Sequence, residues 1–297
     1  HDTLHMWTQV VGKIRLMQAP LVNHWWEVPL YLTSRGLTTS PIPHGSRTFD
    51  IDFDFFEHRL DVRTSDGASE SLALSSRSVA AFYEEIRGIL ERLDVPVEIR
   101  PRPVEIEEAI PFDEDEEHQT YDPDAAHRFW KALLQVDRVL KRYRENFIGK
   151  TSPVHFFWGS FDHAVTRFSG RPAPPHPGGI PNFPDWAVRE AYSHEVHSVG
   201  FWPGKGLGEA AFYAYAYPEP DGFSEVAVAP DGAYYHADLR EFVLPYEAVR
   251  TSRDPDSAVL DFAQSTYDAA ATLGGWNRKE LEREPGGKTA LARKLAL

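Results

Sequence analysis

The stretch RTFDIDFDFFEHRLDVRT, residues 47–64, alternates apolar and polar side chains along most of its length. Its apolar positions are Phe49, Ile51, Phe53 and Phe55, with aspartates between them. A period of two is typical of a β-strand that buries one face. SDG at 65–67 then predicts a turn, followed by another strand at ESLALS. This part of the chain therefore predicts an antiparallel sheet.

Helical patterns flank this sheet on both sides. Upstream, TLHMWTQVVGKIRLM repeats apolar residues at steps of three or four, which is typical of an amphipathic helix. Those residues are Leu4, Trp7, Val11, Ile14 and Met17. Downstream, SVAAFYEEIRGILERL predicts a second helix. The first part of the chain is thus expected to form helix, antiparallel strands and helix.

The same order recurs in the second part of the chain. DPDAAHRFWKALLQVDRVLKRYRENF predicts a helix, and DSAVLDFAQSTYDAAATL predicts another near the end. Between them lie strand-like stretches, namely VHFFWGSFDHAVTRFSG, REAYSHEVHSVGFW, AAFYAYAYPEP and YYHADLREFVLPY. We therefore predict an α+β fold of two pseudo-duplicated α-β-β-β-α units, with mainly antiparallel sheets around an inter-unit pocket.

Matching landmarks support the predicted duplication. NHWWEVPLYLTSRG (23–36) and the stretch at 154–170 are both aromatic, both begin near a histidine and both contain an arginine. His24 precedes Arg35 by 11 residues, and His155 precedes Arg167 by 12. The predicted organisation follows from these landmarks. It comprises a first unit at 1–104, a solvated acidic connector at 105–122, a second unit at 123–275 and a peripheral tail at 276–297.

Charge and composition exclude several classes of partner. The chain has 31 Lys and Arg against 45 Asp and Glu, a formal net charge of −14. Such a surface repels phosphate backbones and anionic lipids, so we expect neither a nucleic acid nor a membrane partner. There is no cysteine, which excludes disulfides and thiolate ligands. These features favour a cytoplasmic protein that acts on a small-molecule ligand, and they leave the oligomeric state open.

The stretch at 154–170 contains the first candidate for a functional residue. If it forms one continuous strand, its alternation places His155 on one face and Asp162 on the other. His155 would then share its face with Phe157, Gly159 and Phe161. The alternative is that His155 is a core histidine with one ring nitrogen satisfied. The sequence leaves these two interpretations open.

Further histidines lead to the hypothesis of a small-molecule enzyme. His24, His155 and His194 would supply three imidazoles, a ligand set that zinc, iron or copper accepts. In this hypothesis His155, His194 and Glu195 are the candidate catalytic residues, with Glu195 as the group that transfers protons. A metal-dependent enzyme is one form of the hypothesis, and a metal-free enzyme is the other.

The second hypothesis is a non-catalytic binder of an aromatic or anionic small molecule. Trp25 and Trp158 are its candidate pocket walls, Arg35 and Arg167 its candidate anion anchors, and Tyr192 a further candidate contact. Each arginine has an alternative role, which is to pair with an internal Asp or Glu.

AFYAYAYPEP raises a related question about the faces of its strand. It places three tyrosines (Tyr213, Tyr215 and Tyr217) on one face and small alanines on the other. The alanine face is expected to pack against a helix. The tyrosine face would either line a pocket or cover an edge.

Several long motifs also resemble a known family. NHWWEVPLYLTSRGLTTSPIP, SPVHFFWGSFDHAVTRFSGR, REAYSHEVHSVGFWPG and AFYAYAYPEP closely resemble a bacterial family known only as a domain of unknown function. The likeness extends to about residue 276 and implies a single-family protein from the bacterial cytoplasm, with no activity to carry over. The family pattern has Leu at the position of His163 and Ser at that of His197. His24, His155 and His194 are therefore the better candidates for a shared site.

Overall fold

The computed structural model describes residues 1–283, which form two compact units. The first unit comprises residues 1–134, 155–161 and 177–191. The second comprises residues 135–154, 162–176 and 192–283. The units interleave along the sequence, because two short segments from the later part of the chain belong to the first unit. Of the predicted tail, residues 284–297 lie outside the described residues.

Helices and antiparallel strands make up both units, so the predicted α+β class is confirmed. The helices are α1 (Asp2–Gln18), α2 (Val79–Arg92), α3 (Pro123–Glu145), α4 (Asp185–Ala191), α5 (Tyr246–Arg250), α6 (Pro255–Leu273) and α7 (Arg278–Leu281). The strands are β1 (Tyr31–Leu32), β2 (Gly36–Thr38), β3 (Ile42–His44), β4 (Arg47–Asp54), β5 (Arg59–Thr64), β6 (Ser69–Ala73), β7 (His155–Phe157), β8 (Asp162–Pro172), β9 (His194–Trp202), β10 (Ala211–Tyr217), β11 (Tyr234–His236) and β12 (Glu241–Pro245). Among residues 1–283, none of the helices is both long and apolar enough to cross a membrane. The internal duplication and its pocket stay predictions.

The first unit is built on an antiparallel sheet in the order β1-β2-β4-β5-β6, with β3 also paired to β4. The alternation in β4 is confirmed, because Phe49, Ile51 and Phe53 are each at most 1% exposed. Helices α1 and α2 contact each other, and the Trp7 ring stacks on the Phe82 ring at a centroid distance of 4.8 Å. Trp7 and Phe82 are both fully buried, which places them in the core of this unit.

A tight contact against α1 gives a test of this packing. A Cβ atom added at Gly12 would overlap the indole of Trp158, which is only 4% exposed. Because overpacking a filled core costs about 1–3 kcal/mol, we expect Gly12→Ala to lower the free energy of unfolding by that amount, measured by urea denaturation. Gly88→Ala in α2 is the matched control, since its Cβ would meet only the mobile end of Arg92. The control is expected to gain about 0.5–1 kcal/mol from the better helix former. Equal stability of Gly12→Ala and the wild type would contradict the packing described here.

The second unit contains five strands in the order β11-β12-β10-β9-β8, all antiparallel. Helix α6 contacts β9 and β10 on one face of this sheet. That face carries Ala214, which is fully buried, and Val199, which is 1% exposed. The prediction that the alanine face of β10 packs against a helix is therefore confirmed. The other face of the sheet carries the three tyrosines of β10.

Several strand predictions were wrong, because a turn or a helix replaces extended backbone. Residues Asn23–Trp25 form a 3-10 turn in which His24 and Trp25 both have φ of 61°, so His24 does not lead a strand. The predicted strand at 154–170 is divided into β7 and β8, and Phe161 in the turn between them also has φ of 61°. His155 and Phe161 consequently do not share one strand face. Residues 189–191, predicted as strand, close helix α4.

Two segments predicted to lie at the surface contribute to the interior. Residues 105–122, predicted as a solvated connector, include Phe112 and Asp115, which are both fully buried. The Asp115 carboxylate accepts hydrogen bonds from the backbone N–H groups of Glu117 and His118. In the predicted tail, Leu281 accepts a backbone hydrogen bond of 2.8 Å from Ile148. The described part of the tail is thus tied to the second unit.

Candidate functional site

The candidate site lies on the face of the second sheet that is turned away from α6, here called the tyrosine face. Strand register assigns side chains to it, because residues directly opposite each other on neighbouring strands lie on the same side of a sheet. Tyr215 is opposite Ser198, and Ser198 is opposite Thr166. The residues of the tyrosine face that matter below are Asp162 and Thr166 of β8, Ser198 and Gly200 of β9, Tyr213, Tyr215 and Tyr217 of β10, and Glu241 of β12.

A tyrosine and an aspartate form the centre of this face. The Tyr213 hydroxyl donates a hydrogen bond to the carboxylate of Asp162. Gly200 makes room for this pair, because a Cβ atom there would overlap the hydroxyl end of the Tyr213 ring. Burial and the negative charge of Asp162 hold the pKa of the Tyr213 phenol well above its usual range. Tyr213 therefore stays protonated and remains a hydrogen-bond donor.

Glu241 is the third acidic group of the centre. Burial, followed by repulsion from Asp162, raises the pKa of its carboxyl from 4.5 to about 8. Within residues 1–283 the Glu241 side chain has neither a hydrogen bond nor an ion pair. A carboxyl group with a pKa near neutrality can donate a proton or accept one under physiological conditions. The centre thus combines an aspartate that accepts a hydrogen bond, a neutral phenol and a glutamate that holds its proton at pH 7.

Aromatic rings extend the tyrosine face beyond its acidic centre. The Tyr213 and Tyr215 rings are nearly parallel, with centroids 6.1 Å apart, and the Tyr215 hydroxyl lies 2.8 Å from the Tyr192 hydroxyl. His176 stacks on Tyr192 at 4.8 Å and lies 4.9 Å from the Tyr217 ring. Burial and the neighbouring Tyr192 keep the pKa of Tyr215 well above its usual range. Aromatic surfaces with a few converging polar groups are typical of sites for small organic molecules.

The opposite face of the same sheet is a packed core that contains His197. Its Nδ1 and Nε2 atoms lie 3.2 Å from the hydroxyl oxygens of Tyr143 and Thr266, respectively. His197 is fully buried, and burial together with the positive charge of Arg167 lowers its pKa from 6.5 to about 3. The ring is therefore neutral at physiological pH.

Arg167, a predicted anion anchor, lies in this same core. Its guanidinium carbon is 3.5 Å from the centroid of the Tyr143 ring and 4.5 Å from that of Tyr267. It also donates a hydrogen bond to the backbone carbonyl of Tyr143. Only 1% of Arg167 is exposed, so it is packed as a core residue. Arg35 of the first unit instead pairs with Asp54 at 2.6 Å, which is the internal pairing considered as its alternative role.

The predicted histidines and tryptophans of the first unit are mostly buried. His155 is 1% exposed, with the Phe157 ring 4.6 Å and the Tyr31 ring 6.1 Å away. His24 is 5% exposed, and its Nδ1 lies 2.9 Å from a backbone carbonyl oxygen. The indole N–H groups of Trp25 and Trp158 donate to backbone carbonyls at 3.0 and 2.9 Å. These contacts fit structural roles and agree with the core interpretation of His155.

The site residues predicted in the second unit have different partners and do not form one cluster. Glu195 forms an ion pair with Arg171 at 2.7 Å and borders a cavity of about 290 Å³ that Trp276 also lines. His194 has its Nδ1 atom 3.1 Å from the Ser193 hydroxyl. Tyr192 alone among the predicted ligand contacts joins the tyrosine face, through its bond with Tyr215.

The described part of the chain contains no group of ligands that supports the metal hypothesis. Across residues 1–283, no group of three or more His, Cys, Asp and Glu side chains is arranged to hold a metal ion. His24 and His155 belong to the first unit and His194 to the second. The predicted zinc, iron or copper site therefore gains no support from these residues.

The sequence patterns did not predict the acidic centre of the tyrosine face. Asp162 was assigned to the face opposite His155, and Glu241 was not singled out. In REFVLPY the glutamate is followed by three apolar residues, Phe242, Val243 and Leu244, which are all buried, so no period of two indicated which way Glu241 points. Its approach to Asp162 depends on the order of the strands, which the sequence of this stretch does not contain.

Comparisons with known proteins give a family without an assigned activity. No curated protein and no solved structure matches the chain. The model of a family of unknown function, DUF5996, matches residues 1–283. This match covers nearly the whole chain, in agreement with the resemblance seen in its motifs. The chain therefore belongs to the DUF5996 family.

Proposed function

We propose that the tyrosine face of the second unit is the active site of an enzyme that transfers a proton to or from a small polar molecule. One observation carries this proposal: Glu241 has no partner within residues 1–283 and lies near the hydrogen-bonded Asp162–Tyr213 pair. Glu241 is half-buried, so its carboxyl group is accessible to a small molecule. An unpartnered, accessible carboxyl with a pKa near 8 suits general acid–base catalysis.

The neighbouring groups have distinct roles in this proposal. Asp162 accepts a hydrogen bond from the Tyr213 hydroxyl, and burial together with the nearby Asp162 keeps the proton on Glu241. Tyr213 stays neutral and uses its hydroxyl hydrogen to hold the Asp162 carboxylate in place. Tyr192, Tyr215 and Tyr217 supply rings against which an apolar or planar part of the substrate can pack.

A second candidate function is the non-catalytic binding of an aromatic molecule. It is favoured by the ring cluster of His176, Tyr192 and Tyr217, whose centroids lie within 5.3 Å of one another. In this case Glu241 would serve only as a hydrogen-bond donor to the ligand. Such a protein would bind a ligand and release it chemically unchanged.

The proposal is tested by a search for a substrate with a matched pair of variants. The wild type is incubated with a metabolite extract in D2O, and mass spectrometry detects any compound that changes mass or gains deuterium. We expect such a compound with the wild type, and a rate at least about 100-fold lower with Glu241→Gln, because positioned acid–base groups typically contribute 10²–10⁴-fold. Glu225→Gln is the control, since Glu225 is an exposed glutamate of the same unit.

The outcomes separate the two functions. Conversion that survives in Glu241→Gln would remove Glu241 from the chemistry and contradict the proposal. A compound that is retained by the wild type, lost by Tyr192→Ala and recovered unchanged would favour the binder. If the extract contains no compound that the wild type converts, the enzyme hypothesis fails.

A further inference from the structure

The cavity of about 290 Å³ beside Glu195 is unexplained by the site described above. It lies where β9 begins and where β10 and α6 end, and all of its lining residues belong to the second unit. Its volume is at the lower end of the range for small-molecule sites, about 300–1,000 Å³. Most of the lining is apolar and consists of Val196, Ala216, Pro218, Pro220, Ala270 and Leu273.

The indole ring of Trp276 forms one wall of this cavity. Its centroid lies 5.9 Å from that of the Tyr267 ring, edge to face, and the residue is 9% exposed. A Cβ atom added at Gly274 would lie 3.1 Å from Nε1 of Trp276, so the indole is packed against the end of α6. The ring is therefore held at the cavity by contacts on two sides. Among aromatic side chains, an indole attracts cations most strongly.

The charged side chains that line the cavity are both acidic. They are Glu195 and Asp221, and among residues 1–283 no lysine, arginine or histidine lines it. Both hydrogen bonds from Arg171 to Glu195 end on Oε2, at 2.9 and 2.7 Å, so Oε1 has none within the described chain. Asp221 is exposed and has neither a hydrogen bond nor an ion pair with residues 1–283.

The end of α6 adds to the negative potential of the cavity. The last carbonyl groups of a helix carry a partial negative charge that favours a cation. Arg171 already donates to the carbonyl oxygens of Gly274 and Gly275 at this helix end. One guanidinium is thus set against two carboxylates and a helix terminus. The balance of charge is negative, and a further cation would offset it.

We propose that this cavity binds a small primary ammonium compound that also carries an apolar or aromatic group. An ammonium has three N–H donors, which suit the Oε1 atom of Glu195 and the carboxylate of Asp221. The apolar group would pack against Trp276 and would cover Leu273, which is 45% exposed. Glu195 alternates along β9 with the residues of the tyrosine face, so its side chain lies on the other side of the sheet.

Isothermal titration calorimetry at pH 7 with three probes of similar shape tests this inference. Benzylamine is cationic at this pH, benzyl alcohol is neutral and benzoate is anionic. We expect benzylamine to bind the wild type at one site with a Kd of about 1 mM or tighter, and the other two probes to bind at least about tenfold more weakly. Glu195→Gln should weaken benzylamine binding at least about tenfold, and Asp221→Asn about threefold, because Asp221 is exposed.

Asp261→Asn is the matched control, because Asp261 is an exposed aspartate of α6 that does not line the cavity. It removes the same charge as Asp221→Asn and should bind benzylamine like the wild type. Asp221→Asn also keeps the test valid if Glu195→Gln loses stability, since it leaves the ion pair between Glu195 and Arg171 in place. Glu241→Gln should bind benzylamine normally, so failure of the proposed enzyme and failure of this site are distinguishable. The inference is overturned if benzylamine does not bind saturably, if benzyl alcohol binds equally well, or if Asp221→Asn and Asp261→Asn have the same affinity.

Discussion

Glu241→Gln is expected to have a free energy of unfolding that no longer falls between pH 6.5 and pH 8. In the wild type we expect a fall of about 2 kcal/mol over this range. The Glu241 carboxyl has a pKa of about 8 in the folded protein and of 4.5 when unperturbed. Between these values the folded chain holds one proton more than the unfolded chain, so stability falls as pH rises. Each pH unit corresponds to about 1.4 kcal/mol, and the full window from pH 4.5 to pH 8 to about 5 kcal/mol.

Urea denaturation at intervals between pH 6.5 and pH 8 measures this effect. Two other groups with strongly shifted pKa values do not affect the slope in this pH range. The shift of Lys13 changes stability above pH 8, and that of His197 changes it below pH 6.5. Glu225→Gln should keep the slope of the wild type, because Glu225 is exposed. A wild-type protein whose stability is constant across this window would show that Glu241 is ionised, and would also remove the basis of the proposed acid–base role.

His197 is expected to produce the opposite slope on the acid side. Its pKa is about 3 in the folded protein against 6.5 when unperturbed, so between these values the unfolded chain holds the extra proton. Stability contributed by neutral His197 is therefore lost as pH falls below 6.5. From pH 6.5 to pH 4.5 the loss is about 3 kcal/mol, and over the full window about 5 kcal/mol. In the wild type, Glu241 and His197 have opposing slopes between pH 4.5 and pH 6.5 and should nearly cancel.

The cancellation dictates the design of the experiment. In Glu241→Gln the acid-side fall should become visible, and adding His197→Gln should flatten it again. The glutamine side chain retains the ability to bond with the Tyr143 and Thr266 hydroxyls but does not titrate. His44→Gln, in the first unit, is the control for replacing a half-buried histidine elsewhere in the chain. An acid-side slope that persists in the double variant would show that another group causes it.

Local patterns predicted the elements well wherever one face is buried. The alternation around Phe49 and Ile51 holds because that face of β4 is in the core, and the helix patterns hold for the same reason. The segment around His24 was mistaken for a strand because its aromatic content is high, although it lacks a period of two. The turn at Phe161 was missed because its left-handed backbone occurs at a bulky residue, where composition does not indicate it.

The candidate site was harder to predict, because it depends on non-local pairing. Asp162 and Tyr213 are 51 residues apart in the sequence and meet only because β8, β9 and β10 are neighbours in the sheet. Glu241 joins them through the pairing of β12 with β10. No spacing within a single strand contains that information. Tyr192 was a candidate ligand contact from the sequence, whereas its bond with Tyr215 follows only from the fold.

The interleaving of the two units has a practical consequence for dissecting the protein. A gene divided at residue 122 would encode an amino-terminal fragment that lacks residues 123–134, 155–161 and 177–191 of the first unit. The carboxy-terminal fragment would carry those three segments without the rest of the unit to which they belong. Neither product is then equivalent to a unit of the intact molecule. Recombinant halves should accordingly regain structure through fragment complementation when they are co-expressed, rather than singly.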